Sequence, residues 1–148
     1  MRHAGSMALC IDKITGSRER NPMGNCLKVG ILGAGNIAGS MAEALNELQK
    51  EGKACAYAVA SRSQEKALEF ARKWNITRAY SSYEELASDP EVDLIYIATP
   101  HSLHYEQAKL CMEHGKNVLV EKAFTANARQ AEELFAMAEE KKVFITEA

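Results

Sequence analysis

From Leu27 to the last residues, apolar positions alternate between short continuous runs and helical stripes. Leu27-Lys28-Val29-Gly30-Ile31-Leu32 is an apolar run that stops at a glycine cluster, the pattern of a strand buried on both faces. Ile37, Met41, Ala44, Leu45 and Leu48 then recur at helical spacing, and Gly52 ends that stripe. The alternation repeats with a strand over Ala54 to Ala60 and a helix over Gln64 to Trp74, whose Ala67, Ala71 and Trp74 share a face. A short strand at Arg78-Ala79-Tyr80 follows, then a brief helix opened by a capping box of Ser82 with Glu85 and closed by Asp89-Pro90.

The second half has the same rhythm. Leu94 to Ala98 reads as a strand, Leu103 to His114 as a helix ended by Gly115, and Asn117 to Val120 as a strand. Asn127 and Gln130 open a helix with Ala131, Leu134, Phe135 and Ala138 on one face, and Val143 to Thr146 is the last strand. Strands alternating with helices in this way imply βαβ units with right-handed crossovers. The predicted class is α/β, a doubly wound parallel sheet (Rossmann fold) of about six strands in three layers, with strand order 3-2-1-4-5-6. Ligands of such sheets bind beyond the carboxyl ends of the strands, beside the switch between strands 1 and 4.

Residues 1–26 have no sustained period and carry Gly5, Ser6, Gly16, Ser17, Asn21, Pro22 and Gly24, so they are expected to be a flexible arm, in part a start-site artefact. Residues 27–148 are expected to form one folded domain. The chain's 148 residues match one ordinary domain, and 47% hydrophobic with 26% charged residues excludes collagen-like or wholly disordered chains. A formal net charge of −2 offers no general attraction to nucleic acid or an anionic membrane. Cys10, Cys26, Cys55 and Cys111 are widely spaced without a CxxC pair, which argues against a disulfide framework or a structural zinc and for a reducing compartment. No apolar run reaches the ~20 residues of a membrane span. The expected location is therefore the cytoplasm.

Chemistry concentrates at the strand ends. Gly33-Ala34-Gly35-Asn36-Ile37-Ala38 is G-x-G-x-x-A between the first strand and the first helix of the pattern. Gly33 permits the tight turn, Gly35 lets a pyrophosphate approach the backbone, and Ala38 keeps helix and strand close. Amides around Asn36 and Ile37 then face the anion at the helix N-terminus. The second strand ends in Ser61-Arg62-Ser63, with no acid before Glu65. Hydroxyls and a guanidinium suit a 2′-phosphate better than a ribose diol, so NADP is the expected cofactor, with NAD as the alternative. The competing reading makes Arg62 a solvated residue and Ser63 a helix cap. Thr99 and Pro100 close the fourth strand, and His104 there is either a cofactor contact or an ordinary first-turn residue, while His101 reads as solvated. Glu121-Lys122 follows the fifth strand, where a lysine can hydrogen-bond a substrate hydroxyl or donate a proton, although a strand-end lysine is more often a solvated charge.

Val29 to Ala38, Ala60-Ser61-Arg62-Ser63, Ala98-Thr99-Pro100 with His104, and Glu121-Lys122-Ala123 occur in order. Together they resemble the N-terminal NAD(P)-binding domain of the glucose–fructose oxidoreductase and inositol dehydrogenase (Gfo/Idh/MocA) family. Ser82-Tyr83-Glu84-Glu85-Leu86 and Glu121-Lys122-Ala123-Phe124 are most similar to its dihydrodiol dehydrogenase-like branch. The resemblance implies hydride transfer between NAD(P) and a hydroxyl- or carbonyl-bearing carbon of a sugar, polyol or cyclic diol. It makes Lys122 the candidate catalytic residue, touching nicotinamide ribose and substrate, and places Glu121 and His104 in the same motifs. Ala123 stands where the motif has proline, so a trans or looser turn is expected there. The resemblance further implies a substrate domain after Ala148, so residues 27–148 alone are expected to bind dinucleotide and turn over little. A stand-alone regulatory or partner module with a dinucleotide site is the alternative, and a degenerate fold that no longer binds is a third reading. No metal is expected, and a homo-oligomer stays open.

Overall fold

The computed structural model describes residues 2–15 and 26–148. Six parallel strands form one sheet in the order β3-β2-β1-β4-β5-β6. They are β1 (Leu27–Leu32), β2 (Ala54–Ala60), β3 (Arg78–Tyr80), β4 (Leu94–Ile97), β5 (Asn117–Val120) and β6 (Ile145–Glu147). The helices are α1 (Arg2–Thr15), α2 (Asn36–Lys50), α3 (Gln64–Trp74), α4 (Tyr83–Ser88), α5 (His104–Glu113) and α6 (Ala128–Lys141), with a 3₁₀ turn over His101–Leu103 before α5. The central strands are apolar on both sides because helices cover both faces. One core joins α1, α2 and α3 to the face that carries Val29, Ile31, Tyr96 and Leu119. The other joins α4, α5 and α6 to the face that carries Leu32, Ile95, Ile97 and Val120.

Side-chain caps decide where several helices begin. Ser63 accepts from the Lys66 N–H, Ser82 from the Glu85 N–H at 3.1 Å, and Asn127 from the Gln130 N–H at 3.0 Å. Gly115 takes φ +72° just after α5, the left-handed position predicted for it.

Three expectations change. The predicted N-terminal arm is, over Arg2–Thr15, a helix; its remainder at residues 16–25 lies outside the described residues. Met7, Cys10 and Ile11 are buried on one face of α1, and Ile14 packs behind them. These positions have helical spacing, which the polar and glycine residues around them obscured. Phe135, predicted to face the core, is 53% exposed and stacks on Phe124 with ring centroids 5.3 Å apart, leaving Leu134 and Ala138 as the buried face of α6. Finally, the Lys122–Ala123 peptide is cis rather than the trans turn expected without a proline.

Candidate functional site

The sheet order reverses between β1 and β4, and the connections after those strands leave on opposite faces. That divergence opens a crevice at the strand carboxyl ends, where most of the residues singled out in the sequence gather.

The turn after β1 forms its floor. Gly33 has φ +104°, and a Cβ there would sit 2.9 Å from the Ala98 carbonyl oxygen and 3.4 Å from the Thr99 nitrogen. Only glycine fits between β1 and the end of β4. Gly35 differs: its backbone is extended, and a Cβ would meet nothing within 4 Å. It caps α2 with no side chain, whereas α3, α4 and α6 have their first-turn amides bonded by serine or asparagine. The amide end of α2, beginning at exposed Asn36 and Ile37, is thus left open to an anion, with the helix dipole behind it. Ile37 is 53% exposed and so lies outside the core. Ala38 is fully buried against the sheet.

At the end of β2, Ser61 accepts from the Ser63 N–H at 3.3 Å, and Ser63 caps α3. Both hydroxyls are therefore already committed to local structure. Arg62 is exposed and makes no hydrogen bond or ion pair among the described residues. A groove of about 460 Å³ runs from Gly35 and Asn36 between α2 and α3, lined by Lys66, Phe70, Lys73 and Trp74. Lys66 was missed in the sequence; its position three residues after the Ser63 cap was the available signal.

The far wall comes from the ends of β4 and β5. Thr99 is buried and its hydroxyl donates to Gln107, so it offers its main chain to the turn at Gly33; Pro100 and His101 are exposed. His104, 1% exposed, is turned inward. Its Nδ1 lies 2.8 Å from the Ala123 carbonyl oxygen and its Nε2 2.8 Å from the Thr99 carbonyl oxygen. A neutral ring donates to one of these, a protonated ring to both. His104 thus ties the end of β4 to the Lys122 turn; the sequence had left open whether it contacts a cofactor or is an ordinary first-turn residue.

Glu121 is also buried. Its Oε1 accepts from the Tyr96 hydroxyl at 2.6 Å and from His3 at 2.8 Å, and its Oε2 accepts from the Lys122 N–H at 3.2 Å. Burial alone would raise its pKa, but the hydrogen bonds from Tyr96 and His3, the His3 charge and the Lys122 amide hold it below the ordinary glutamate range. Burial, with the bond to Glu121, pushes the Tyr96 phenol up, so it remains a donor. Lys122 is exposed at the mouth of the crevice. The turn after it is held from β6, where Glu147 accepts from the Phe124 N–H at 2.8 Å. His3, Tyr96 and Glu147 escaped sequence reasoning because their partners lie 118, 25 and 23 residues away.

Among the described residues, no three His, Cys, Asp or Glu side chains gather as a metal site, and no helix is long and apolar enough to cross a membrane.

Residues 27–148 match the family model described as an oxidoreductase family, NAD-binding Rossmann fold (Gfo/Idh/MocA). The chain is 43% identical over 121 residues to a trans-1,2-dihydrobenzene-1,2-diol dehydrogenase of Xenopus tropicalis, covering 82% of this chain and 36% of that protein. It is 40% identical over 131 residues to a D-xylose 1-dehydrogenase (NADP(+)) of Hypocrea jecorina, covering 82% and 34%. Among solved structures, KijD10, a 3-ketoreductase of Actinomadura kijaniata in complex with NADP, superposes with a TM-score of 0.76 at 33% identity, covering 83% of this chain and 38% of that one. The chain spans about a third of the length of the curated relatives it matches.

Proposed function

The chain belongs to the Gfo/Idh/MocA oxidoreductase family, whose matched part is its NAD-binding Rossmann fold, and from that premise we propose that residues 27–148 are the cofactor domain of an NADP-dependent dehydrogenase. Its reaction is hydride transfer to or from a hydroxyl- or carbonyl-bearing carbon of a sugar, polyol or cyclic diol. The relatives named for a dihydrodiol and for xylose support that substrate class. The observation that carries the reading is the open, glycine-capped end of α2 at the sheet's switch point.

The residues present fit the cofactor. The space where a Gly35 Cβ would meet nothing admits a pyrophosphate against the backbone, and the first-turn amides of α2 supply donors. Arg62 is free at the end of β2, with Ser61 and Ser63 beside it and no acid to repel a 2′-phosphate. Lys66, across the groove from Gly35 and Asn36, adds a second positive charge. Thr99 and Pro100, at the end of β4, and Ile37, in the first turn of α2, are placed to flank the cofactor near Gly33. The bound nicotinamide supplies or accepts the hydride. Lys122 donates a hydrogen bond to the substrate oxygen and polarises it, while Glu121 and His104 fix the turn from which Lys122 projects.

Calorimetric titration of the chain with NADP⁺ and NAD⁺ tests the assignment. NADP⁺ is expected to bind at least tenfold tighter, about 1.4 kcal/mol. Arg62→Ala should erase most of that margin and leave NAD⁺ affinity unchanged. Tighter NAD⁺ binding would remove the 2′-phosphate role of Arg62, and binding of neither would remove the cofactor reading for this chain.

A further inference from the structure

At the opposite end of the sheet from the crevice, two thiols meet. Cys26 immediately precedes β1, and Cys55 is the second residue of β2. The Cys26 S–H donates to the Cys55 sulfur across 2.8 Å, although 29 residues separate them in sequence. Cys10 and Cys111 are buried separately in the two cores. Cys26 is half-buried, within reach of a reagent, whereas Cys55 is buried behind it.

We propose that Cys26 and Cys55 form a reversible redox site, a disulfide that ties the entrance of β1 to β2 when the thiol pool becomes oxidising. The oxidant is a low-molecular-weight disulfide of the glutathione type. The Cys26 thiolate attacks one of its sulfurs, forming a mixed disulfide and releasing one glutathione thiolate. The Cys55 thiolate then attacks the Cys26 sulfur, forming the Cys26–Cys55 bond and expelling the second glutathione thiolate. Two protein thiols are oxidised, one glutathione disulfide is reduced to two glutathiones, and the two cysteine protons pass to the released thiolates. Burial, then the hydrogen bond and charge of Cys26, push the Cys55 thiol up to about 12, with Lys28 working against them. Cys55 is therefore protonated at rest and must give up its proton before the resolving step, which the adjacent Cys26 sulfur makes intramolecular. The bond would fix the chain where it enters the sheet and leave the strand carboxyl ends untouched.

The 1–148 chain is equilibrated with glutathione mixtures of rising disulfide fraction, alkylated, and mapped by mass spectrometry. The expected product joins the Cys26 and Cys55 peptides, lighter by two hydrogens, reverts with dithiothreitol and melts higher than the reduced chain. Cys26→Ser should abolish it. Were that variant not to fold, mapping of the unaltered chain decides the matter. Free Cys26 and Cys55 at the highest disulfide fraction, an unresolved glutathione adduct on Cys26, pairing of Cys26 with Cys10 or Cys111, or an oxidised chain that melts no higher would each overturn the proposal.

Discussion

Gly33 and Gly35 stand two residues apart in one turn, yet alanine at the two positions should act on different quantities. At Gly33 the added Cβ meets the Ala98 carbonyl oxygen at 2.9 Å, and the backbone has φ +104°. Forcing a side chain into that conformation costs about 1–3 kcal/mol, and overpacking against fixed backbone adds about 1–3 kcal/mol. Gly33→Ala should therefore lose roughly 2–6 kcal/mol of stability, a fall in Tm of roughly 6–18 °C for a chain of this size. At Gly35 the same Cβ meets nothing, and the φ of −96° suits any residue. The folded state should change by no more than about 0.5–1 kcal/mol, from the weaker helix cap. The methyl group instead stands in the open space proposed for the pyrophosphate. Losing a charge-assisted backbone hydrogen bond there costs about 1.5–3 kcal/mol, or roughly tenfold to a hundredfold in NADP⁺ affinity. Thermal melts with and without cofactor, together with calorimetric titration, separate the two. A Gly35→Ala chain that melts like the parent and binds NADP⁺ as tightly would refute the pyrophosphate assignment. A Gly33→Ala chain that melts like the parent would refute the steric argument at the Ala98 contact.

His104→Ala should cost about 1–3 kcal/mol, because the buried Thr99 carbonyl and the part-buried Ala123 carbonyl lose the imidazole between them. Amide exchange at Ala123 and Phe124 should accelerate with it; slow exchange in a stable variant would mean that the imidazole does not hold the Lys122 turn. For Glu121 the folded-state pKa lies below its ordinary value, so its contribution to stability is present above the ordinary glutamate range and lost as pH falls through the folded value. His3→Ala removes one of the interactions holding that value down, so the acid-unfolding midpoint should move to higher pH, with a smaller change near neutrality. An acid midpoint unmoved by His3→Ala would argue that α1 is not tied to the site through Glu121.

Local rules made much of the architecture readable without coordinates. The apolar runs of β1, β2, β4 and β5 announce strands buried on both faces. The caps at Ser63, Ser82 and Asn127 mark helix starts, since a side-chain oxygen three residues before a free amide is a short-range arrangement. The glycine turn is legible for the same reason: a tight turn and an uncapped helix end are properties of six consecutive residues. What neighbouring residues cannot encode is the partner of a polar side chain. His104 carries the same letters wherever its ring points, and only the tertiary structure sets it between the Thr99 and Ala123 carbonyls. Ile37 and Phe135 belong to apolar stripes by spacing but lie outside the core, because a stripe wider than the covered strip leaves its flanks exposed. α1 shows the same division. Met7, Cys10, Ile11 and Ile14 already had helical spacing, but a short stripe among glycines and polar residues is stable only against a surface. That surface is supplied mainly by α2, and His3 finds its partner in Glu121, 118 residues further along the chain.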